Sequence, residues 1–205
     1  MTRNEKEMMS SIFAKIAELD YIKPDEIPNI DLYMDQVTTF MEENLASTKR
    51  HEDDKILTKT MINNYAKNKL LPPPEKKRYS REHLLMLIFI YYFKNILSIS
   101  DIQTLLGPIT DKYFKSMTEK DMTYIYNEVF SMEKEQIESL KKDLLRKYKT
   151  AQDTFEDADE EDQENLKRFS FICLLSFDVY VKKMMIEHLI DGMNPTAEHD
   201  NKKKK

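Results

Sequence analysis

The sequence predicts an all-α protein, and three features of its composition support this. Only 2 Gly and 7 Pro occur in 205 residues, too few for the turns of a β-sandwich or the phosphate-binding loop of a Rossmann fold. Leu, Ile, Met, Lys and Glu are abundant, and all of them are compatible with helix. Hydrophobic residues make up 40% of the chain, enough to form a core, so we do not expect disorder over its whole length.

Two amphipathic helices are predicted first, over residues 5–22 and 31–45, with a connector containing Pro24 and Pro28 between them. In both, apolar residues recur every three or four positions, the spacing of a helix that buries one face. The predicted buried residues are Met8, Met9, Ile12, Ile16 and Leu19 in the first helix, and Leu32, Val37, Phe40, Met41 and Leu45 in the second.

A third helix is predicted over residues 58–69, with Thr58 as its N-cap. The prolines at 72–74 end it, because proline lacks an N–H and disfavours helix in the residue before it. Residues 75–79 then form a basic loop or a short hairpin.

A fourth helix, over residues 81–97, is predicted to lie at the centre of the domain. Ser80 caps it, and its segment 84–93 is apolar on nearly every face, which is typical of a buried helix. A short fifth helix follows, with Ser100 as its cap and the pair at 107–108, Gly then Pro, as its stop.

The remaining chain predicts two long helices. Residues 118–121 resemble a capping box that opens a helix to about residue 148, and residues 165–190 form the last helix. Between them, residues 156–164 hold seven acidic groups and predict a solvated linker. The predicted organisation is an N-terminal helix and connector (1–29), a winged helix-turn-helix (30–108), a helical dimerisation or effector region (109–193) and a disordered Lys-rich tail (194–205).

Charge is distributed unevenly along the chain. The formal net charge is −5, yet residues 55–81 carry eight basic side chains and one acidic side chain, while both flanking segments are net acidic. A phosphate backbone responds to such a local basic patch more than to the global charge. The patch is therefore a candidate contact with double-stranded DNA.

Two groups of side chains in this patch suit DNA. Polar residues share the outer side of the third helix at helical spacing; among them, Asn carries an amide that can pair with adenine in the major groove. The basic segment after the prolines suits phosphates, as the wing of a winged helix-turn-helix does. The candidate DNA-binding residues are Lys59, Thr60, Asn63, Asn64, Lys67, Lys76, Lys77, Arg78, Tyr79 and Arg81.

The segments NNYAKNKLLPP, RYSREHLLMLIFI and ILSISDIQTLL, in that order, resemble the DNA-binding domain of MerR-type regulators. That family has a recognition helix ending in Gly-Leu-Leu-Pro, a wing with an Arg-Tyr pair, and two further helices. The matching positions are Tyr65, Leu70, Leu71 and Pro72, then Arg78 and Tyr79, then Glu82, Leu84, Leu87 and Ile90, then Ile99, Ile102, Leu105 and Leu106. The departures are Lys69 in place of the glycine, Asn63 in place of an arginine, and a longer loop at 46–57.

The segments LYMDQV, INNY, LLPPPEKKRYSREHL and LSISDIQ also resemble a bacterial family of unknown function, numbered eighteen thirty-six. That resemblance implies no biochemical activity. The MerR-like resemblance covers residues 30–107 and implies a dimeric, sequence-specific transcription regulator.

Other classes of function find little support. The single cysteine, Cys173, excludes an internal disulfide and a Cys-rich zinc site, and the four His are scattered. No Gly-rich phosphate loop, nucleophile elbow or carboxylate–His spacing occurs. We therefore expect no enzyme activity, no metal and no cofactor. The polar start and an apolar run of only ten residues predict a cytoplasmic protein without a membrane span.

Two hypotheses remain. The first is a DNA-binding transcription regulator that forms a homodimer through its C-terminal helices and responds to an unknown effector. The second is a protein–protein adaptor that keeps the winged-helix shape but has lost DNA binding. In both, the aromatic residues of the fourth helix and Cys173 are expected to be buried, and His83 is expected at the surface.

Overall fold

A computed structural model of the chain describes residues 3–17 and 21–193. These residues are mostly helical, as the composition predicts, and they contain one two-stranded sheet. The chain divides into two compact units, Met1–Ser131 and Met132–Lys205. Among the described helices, none combines the length and the apolar character that crossing a membrane requires.

The first unit contains six helices and both strands of the described part of the chain. Strand β1 pairs antiparallel with β2, so that Leu32 lies opposite Tyr79 and Tyr33 opposite Arg78. The elements are α1 (Arg3–Ala17), β1 (Leu32–Tyr33), α2 (Met34–Asn44), α3 (Lys59–Lys67), β2 (Arg78–Tyr79), α4 (Arg81–Phe93), α5 (Ile99–Tyr113) and α6 (Met122–Phe130).

Helix α4 forms the centre of this unit, as its apolar sequence predicts. Every residue from 83 to 91 is buried. Phe89 packs edge-on against Tyr126 of α6, with 5.7 Å between ring centroids, and Phe130 lies 4.3 Å from Tyr126. The hydroxyl of Tyr126 donates to the carbonyl of Ile22 at 2.6 Å. Phe89 of α4 and Tyr126 of α6 thus connect these two helices and the segment around Ile22 in one core.

The predicted caps hold at two helices and shift at a third. Thr58 caps α3, because its Oγ1 accepts the N–H of Met61 at 3.2 Å. Ser80 is the N-cap of α4. For α5 the cap is Ser98 rather than Ser100, and Ser98 and Asp101 exchange hydrogen bonds between side chain and backbone at 3.1 and 3.2 Å.

The predicted stop at Gly107 and Pro108 is wrong, because α5 continues through both to Tyr113. Proline cannot donate the usual backbone bond within a helix, but packing on either side of Pro108 offsets this cost. Leu106 is buried, and Phe114, the C-cap, packs edge-on against His83 at 4.9 Å. A local breaker signal is overruled here by tertiary contacts.

The second unit is a hairpin of two helices, α7 (Glu133–Gln152) and α8 (Glu160–Met193). The ring of Tyr148 meets that of Phe171 edge-on at 5.5 Å. Lys147 is buried and forms ion pairs with Asp143 of its own helix and Asp178 of α8. Burial would lower the pKa of Lys147, but the hydrogen bonds to the two carboxylates outweigh it and raise the pKa. Lys147 therefore stays charged and ties the two helices together.

The C-terminal elements differ from the prediction in three ways. The single helix predicted over 118–148 is two helices. Asp121 caps α6, this helix ends at Phe130, and α7 begins at Glu133. Helix α8 begins at Glu160, so about half of the predicted acidic linker forms the first turns of this helix. Acidic side chains there stabilise the helix by interacting with the positive end of its dipole. Residues 109–131 belong to the first unit. Leu19 and the predicted tail at 194–205 lie outside the described residues.

The central position of α4 predicts a large cost for truncating its core. Leu87 is fully buried, so Leu87→Ala should lower the free energy of unfolding by about 2–5 kcal/mol through lost transfer energy and a cavity. Ile99→Ala is the matched control, because Ile99 is exposed and should cost less than about 1 kcal/mol. Urea denaturation followed by circular dichroism measures both. Equal costs for the two variants would contradict the central position of α4.

Candidate nucleic-acid interface

Helix α3 has one buried and one exposed side, in the arrangement that its sequence predicts. Ile62 and Tyr65 are buried. On the other side, four polar side chains are exposed and free of the core: Thr60, Asn63, Asn64 and Lys67. An exposed row of amide, hydroxyl and ammonium groups on one helix face provides the donors and acceptors that read base edges.

A Schellman motif fixes the end of α3. The N–H of Leu70 donates to the carbonyl of Tyr65 at 2.8 Å, and that of Lys69 donates to Ala66 at 3.1 Å. Lys69 has φ 57°, the left-handed conformation that glycine adopts most readily. Lys69 therefore takes a backbone conformation that usually falls to glycine at the end of a helix. Gln103 of α5 donates to the carbonyl of Asn68 and secures this end of the helix.

The basic segment after the prolines is a two-residue hairpin turn. Glu75 and Arg78 exchange backbone hydrogen bonds of 3.1 and 2.8 Å. The two residues between them, Lys76 and Lys77, have φ 48° and 65°, which is the geometry of a type I′ turn. Asn-Gly is the usual pair there, since the left-handed conformation costs other residues roughly 1–2 kcal/mol each. Two exposed lysines thus occupy a strained, well-defined turn, which we call the wing.

Arg78 is held in place by Tyr33 across the sheet. Its Nε and Nη2 donate to the Tyr33 hydroxyl at 3.3 and 3.2 Å, and the guanidinium lies 5.2 Å from the ring centroid. Both side chains remain exposed. Tyr33 was not among the candidates from sequence, because only the pairing of β1 with β2 brings these residues together. The strand register is the signal that would have found it.

The sheet and the start of α3 are connected through α2. Asp35, two residues after Tyr33, forms an ion pair with Lys59, the first residue of α3. At the wing, Glu75 forms an ion pair with Lys115. Hydrogen bonds and ion pairs thus run from the wing through Tyr33 and the first turn of α2 to the start of α3.

The side chains of Tyr79 and Arg81 are engaged with the protein itself and are not free to contact DNA. Tyr79 is buried, and burial raises the pKa of its hydroxyl. Its ring packs edge-on against His83 at 5.5 Å. Arg81 donates through Nη2 to the carbonyl of Pro24 at 2.6 Å. Both side chains anchor the wing and the N-terminal connector to the core, and we leave them out of the interface.

His83 is buried, with 1% of its surface exposed, so the expectation of a surface residue is wrong. Its Nδ1 accepts the backbone N–H of Ser80 at 3.0 Å, the role of Glu or Gln in a capping box. The ring lies between Tyr79 and Phe114. Burial lowers the pKa of His83, against smaller opposing effects from the backbone of Pro73 and from Glu82. A neutral imidazole therefore supports the base of the wing.

The other expectations about side chains have mixed outcomes. Among the aromatic residues of α4, Phe89 and Tyr91 are buried as expected, whereas Tyr92 and Phe93 are only half-buried. Cys173 is exposed rather than buried, because its side of α8 faces away from α7. Within the described residues, no group of three or more His, Cys, Asp and Glu is placed to hold a metal ion.

Comparison with known protein families finds a match within the first unit. The model of a family described as Domain of unknown function (DUF1836) matches residues 22–129. That range lies within the first unit and contains α3, the wing and α4. No curated protein and no solved structure matches the chain.

The strain in the wing predicts a stabilising substitution. Lys76→Asn with Lys77→Gly supplies the residues that a type I′ turn prefers, so thermal unfolding should show a gain of about 1–2 kcal/mol. Lys76→Ala with Lys77→Ala removes the same charges but keeps Cβ atoms at both positions. No gain is expected from this control, and equal stability of the two double variants would argue against the left-handed conformation.

The buried histidine predicts a dependence of stability on pH. The pKa of His83 is lowered in the folded chain, so the unfolded chain binds the proton first as the pH falls through about 6.5. The free energy of unfolding should therefore decrease below that pH. His83→Gln keeps an acceptor for the Ser80 N–H and should flatten this dependence. His51→Gln is the control, because His51 is exposed; an unchanged profile in His83→Gln would contradict the assignment.

Proposed function

Because the chain belongs to the family described as Domain of unknown function (DUF1836), which assigns no activity, we propose its function from its own residues. The proposal is a cytoplasmic, sequence-specific DNA-binding regulator of transcription that acts as a homodimer. It includes no catalytic step and no cofactor. The observation that carries it is the pairing of a fixed basic turn with the exposed polar face of α3.

The order of elements supports a MerR-like docking. A helix with an exposed polar face is followed by a basic hairpin and then by two packed helices, α4 and α5. This is the order that the resemblance implies. The proposal assigns α3 to the major groove and the wing to the backbone, as in winged helix-turn-helix proteins.

The charges around the wing favour a phosphate partner. The neighbouring carboxylates of Asp35 and Glu75 are both in ion pairs with lysines, which reduces their repulsion of an anion. Lys76 and Lys77 are exposed at the tip of the turn, and Tyr33 orients Arg78 beside them. A fixed turn loses little entropy when it meets a backbone phosphate, so its cations are preorganised.

The second candidate function is the protein–protein adaptor without DNA binding. The observation that favours it is the large apolar surface of α8, which suits a protein partner. In the regulator, a second copy of the chain covers this same surface. The two candidates therefore differ in whether the wing and α3 bind duplex DNA.

Helix α8 carries apolar side chains on the side opposite α7. Phe171 and Asp178 contact α7, two turns apart on one side. Six exposed residues lie at helical spacing on the other side, which we call the outer face. They are Phe169, Ile172, Cys173, Phe177, Tyr180 and Met184.

The outer face is large enough for a dimer. Phe169, Phe177 and Tyr180 are 60%, 66% and 66% exposed. With Ile172 and Met184, these side chains leave on the order of 500 Å² of apolar surface in contact with water, close to the upper limit for monomers. Polar residues at the edge bring such a patch toward the roughly 800 Å² per partner of a stable interface. Three other apolar residues of the two C-terminal helices, Leu144, Tyr148 and Phe171, are buried inside the hairpin and are not available to a partner.

The DNA proposal predicts separate effects for the wing and α3. Duplexes selected from a random pool supply the preferred site. Lys76→Asn with Lys77→Gly should weaken binding to every duplex and reduce the salt slope by up to about 0.9 per lost phosphate contact. Asn64→Ala should cost roughly 1–3 kcal/mol on the selected site and little on random duplex, with the slope unchanged. Fluorescence anisotropy over a series of salt concentrations measures both effects.

The controls separate DNA binding from folding. The wing variant is expected to be more stable than the parent chain, so weaker binding cannot result from unfolding. Asn63→Ala, one position away on the same helix, reports which amide faces the groove. If no duplex is enriched, and the wing and asparagine variants behave as the parent does, the adaptor replaces the regulator.

The dimer proposal predicts dissociation when charge is placed on the outer face. Phe177→Glu with Tyr180→Glu should convert a dimer to a monomer at micromolar concentration, because a buried unpaired carboxylate is costly. Ser139→Glu on α7 is the control, since Ser139 is exposed and lies outside this face. Light scattering or analytical ultracentrifugation on the full chain gives the mass. A monomeric parent chain would contradict the proposal.

A further inference from the structure

A second basic site lies in the first unit, beside the long loop that precedes α3. An open pocket of about 310 Å³ is lined by residues of this loop and of the end of α4. Its volume is at the lower limit for small-molecule sites. The lining residues are Thr48, Lys49, Arg50, Asp54, Lys55, Ile56, Tyr91, Lys94 and Asn95.

Lys94 is the fixed cation of this pocket. Its Nζ donates to the carbonyl of Ile56 at 2.6 Å and lies 4.8 Å from the ring centroid of Tyr91. The Tyr91 hydroxyl is hydrogen-bonded to Thr48, which holds the ring in place. Burial lowers the pKa of Lys94. An ammonium has three N–H donors, so a carbonyl alone does not use its capacity.

Three more cations line the pocket besides Lys94, and two nearby carboxylates are already occupied by groups of the loop. Lys49, Arg50 and Lys55 complete the basic lining. Asp54 accepts the backbone N–H groups of Arg50 at 3.1 Å and His51 at 2.9 Å, and Glu42 pairs with Lys49. Four cations and one carboxylate, Asp54, line the pocket itself, and this balance favours an anion that carries two or more charges even though Lys49 is paired with Glu42.

We propose that this pocket binds a small molecule bearing a phosphate or pyrophosphate group. Ammonium and guanidinium groups that line one cavity suit the several acceptor oxygens of such a group. The site is distinct from the wing and from the exposed face of α3, and it accounts for the length of the loop at 46–57.

The pocket is directly connected to α3. Lys94 holds the carbonyl of Ile56, the next residue, Leu57, is buried, and Thr58 caps α3. A phosphate that draws Lys94 away from Ile56 therefore changes the segment that enters the proposed recognition helix. This regulatory role rests on the proposed function, whereas the binding site itself does not.

The binding site is tested on the full chain without DNA. Inorganic phosphate and then pyrophosphate are titrated into ¹⁵N-labelled protein at constant ionic strength, with chloride as the reference anion. Saturable shifts are expected at the amides of residues 48–56 and 94–95. Lys94→Met should weaken pyrophosphate binding by about tenfold or more, as expected for loss of a hydrogen bond to a charged group. Lys112→Met, an exposed lysine on α5, should leave it unchanged.

Arg50→Gln provides a second variant if Lys94→Met disturbs the loop, because Arg50 is exposed. Absence of saturable shifts, or shifts that neither variant weakens, overturns the proposal. A parallel titration with duplex DNA identifies the source of the phosphate. If only the duplex moves these amides, the pocket binds the DNA backbone and the small-molecule assignment is wrong.

The regulatory role has its own measurement. Pyrophosphate should change the dissociation constant for the selected duplex in the parent chain and not in Arg50→Gln. If pyrophosphate leaves the dissociation constant of the parent chain unchanged, the regulatory role is overturned, but the binding site is not. If the chain binds no duplex at all, the proposed function fails, and the result of the titration without DNA still decides the pocket.

Discussion

The complete burial of α4 is the constraint on which the first unit depends. A helix with nine consecutive buried residues needs neighbours on every side, because any open side would expose apolar surface to water. Strand β2 enters it directly through Ser80, and α6 covers it through Tyr126 and Phe130. The wing is therefore attached directly to the most deeply buried helix of the unit.

Several turns around this core place non-glycine residues in the left-handed conformation, which glycine adopts at lower cost. Lys69, Lys76 and Lys77 all have positive φ, and each carries a cation close to the proposed DNA surface. Natural sequences tolerate such strain where the side chain has a use, and the rest of the fold compensates for it. Each of these three lysines therefore holds its cation on a backbone conformation that costs some stability.

The features that could be predicted from the sequence are those that depend on residues close together in the chain. The caps at Thr58 and Ser80, the exposed row on α3 and the apolar stretch of α4 depend on residues a few positions apart, so periodicity and capping rules are sufficient. The pairing of Tyr33 with Arg78 joins residues 45 positions apart, and no local rule connects them. The course of α5 through Pro108 and the burial of His83 depend on Phe114, which only the folded chain brings close. Cys173 was expected inside because its helix is apolar all round, yet one partner helix covers only one side.

The outer face of α8 also bears on the life of the protein in a cell. Chaperones and proteases recognise contiguous apolar side chains, which are otherwise the mark of an unfolded chain. In the proposed dimer, a protomer whose α8 lacked its partner would present Phe177 and Tyr180 in this way, although each of its helices would be intact. Its degradation would then compete with pairing, which is second order in concentration. At a low rate of synthesis, most protomers would be degraded before they paired. The amount of protein in the cell would therefore rise more steeply than its rate of synthesis.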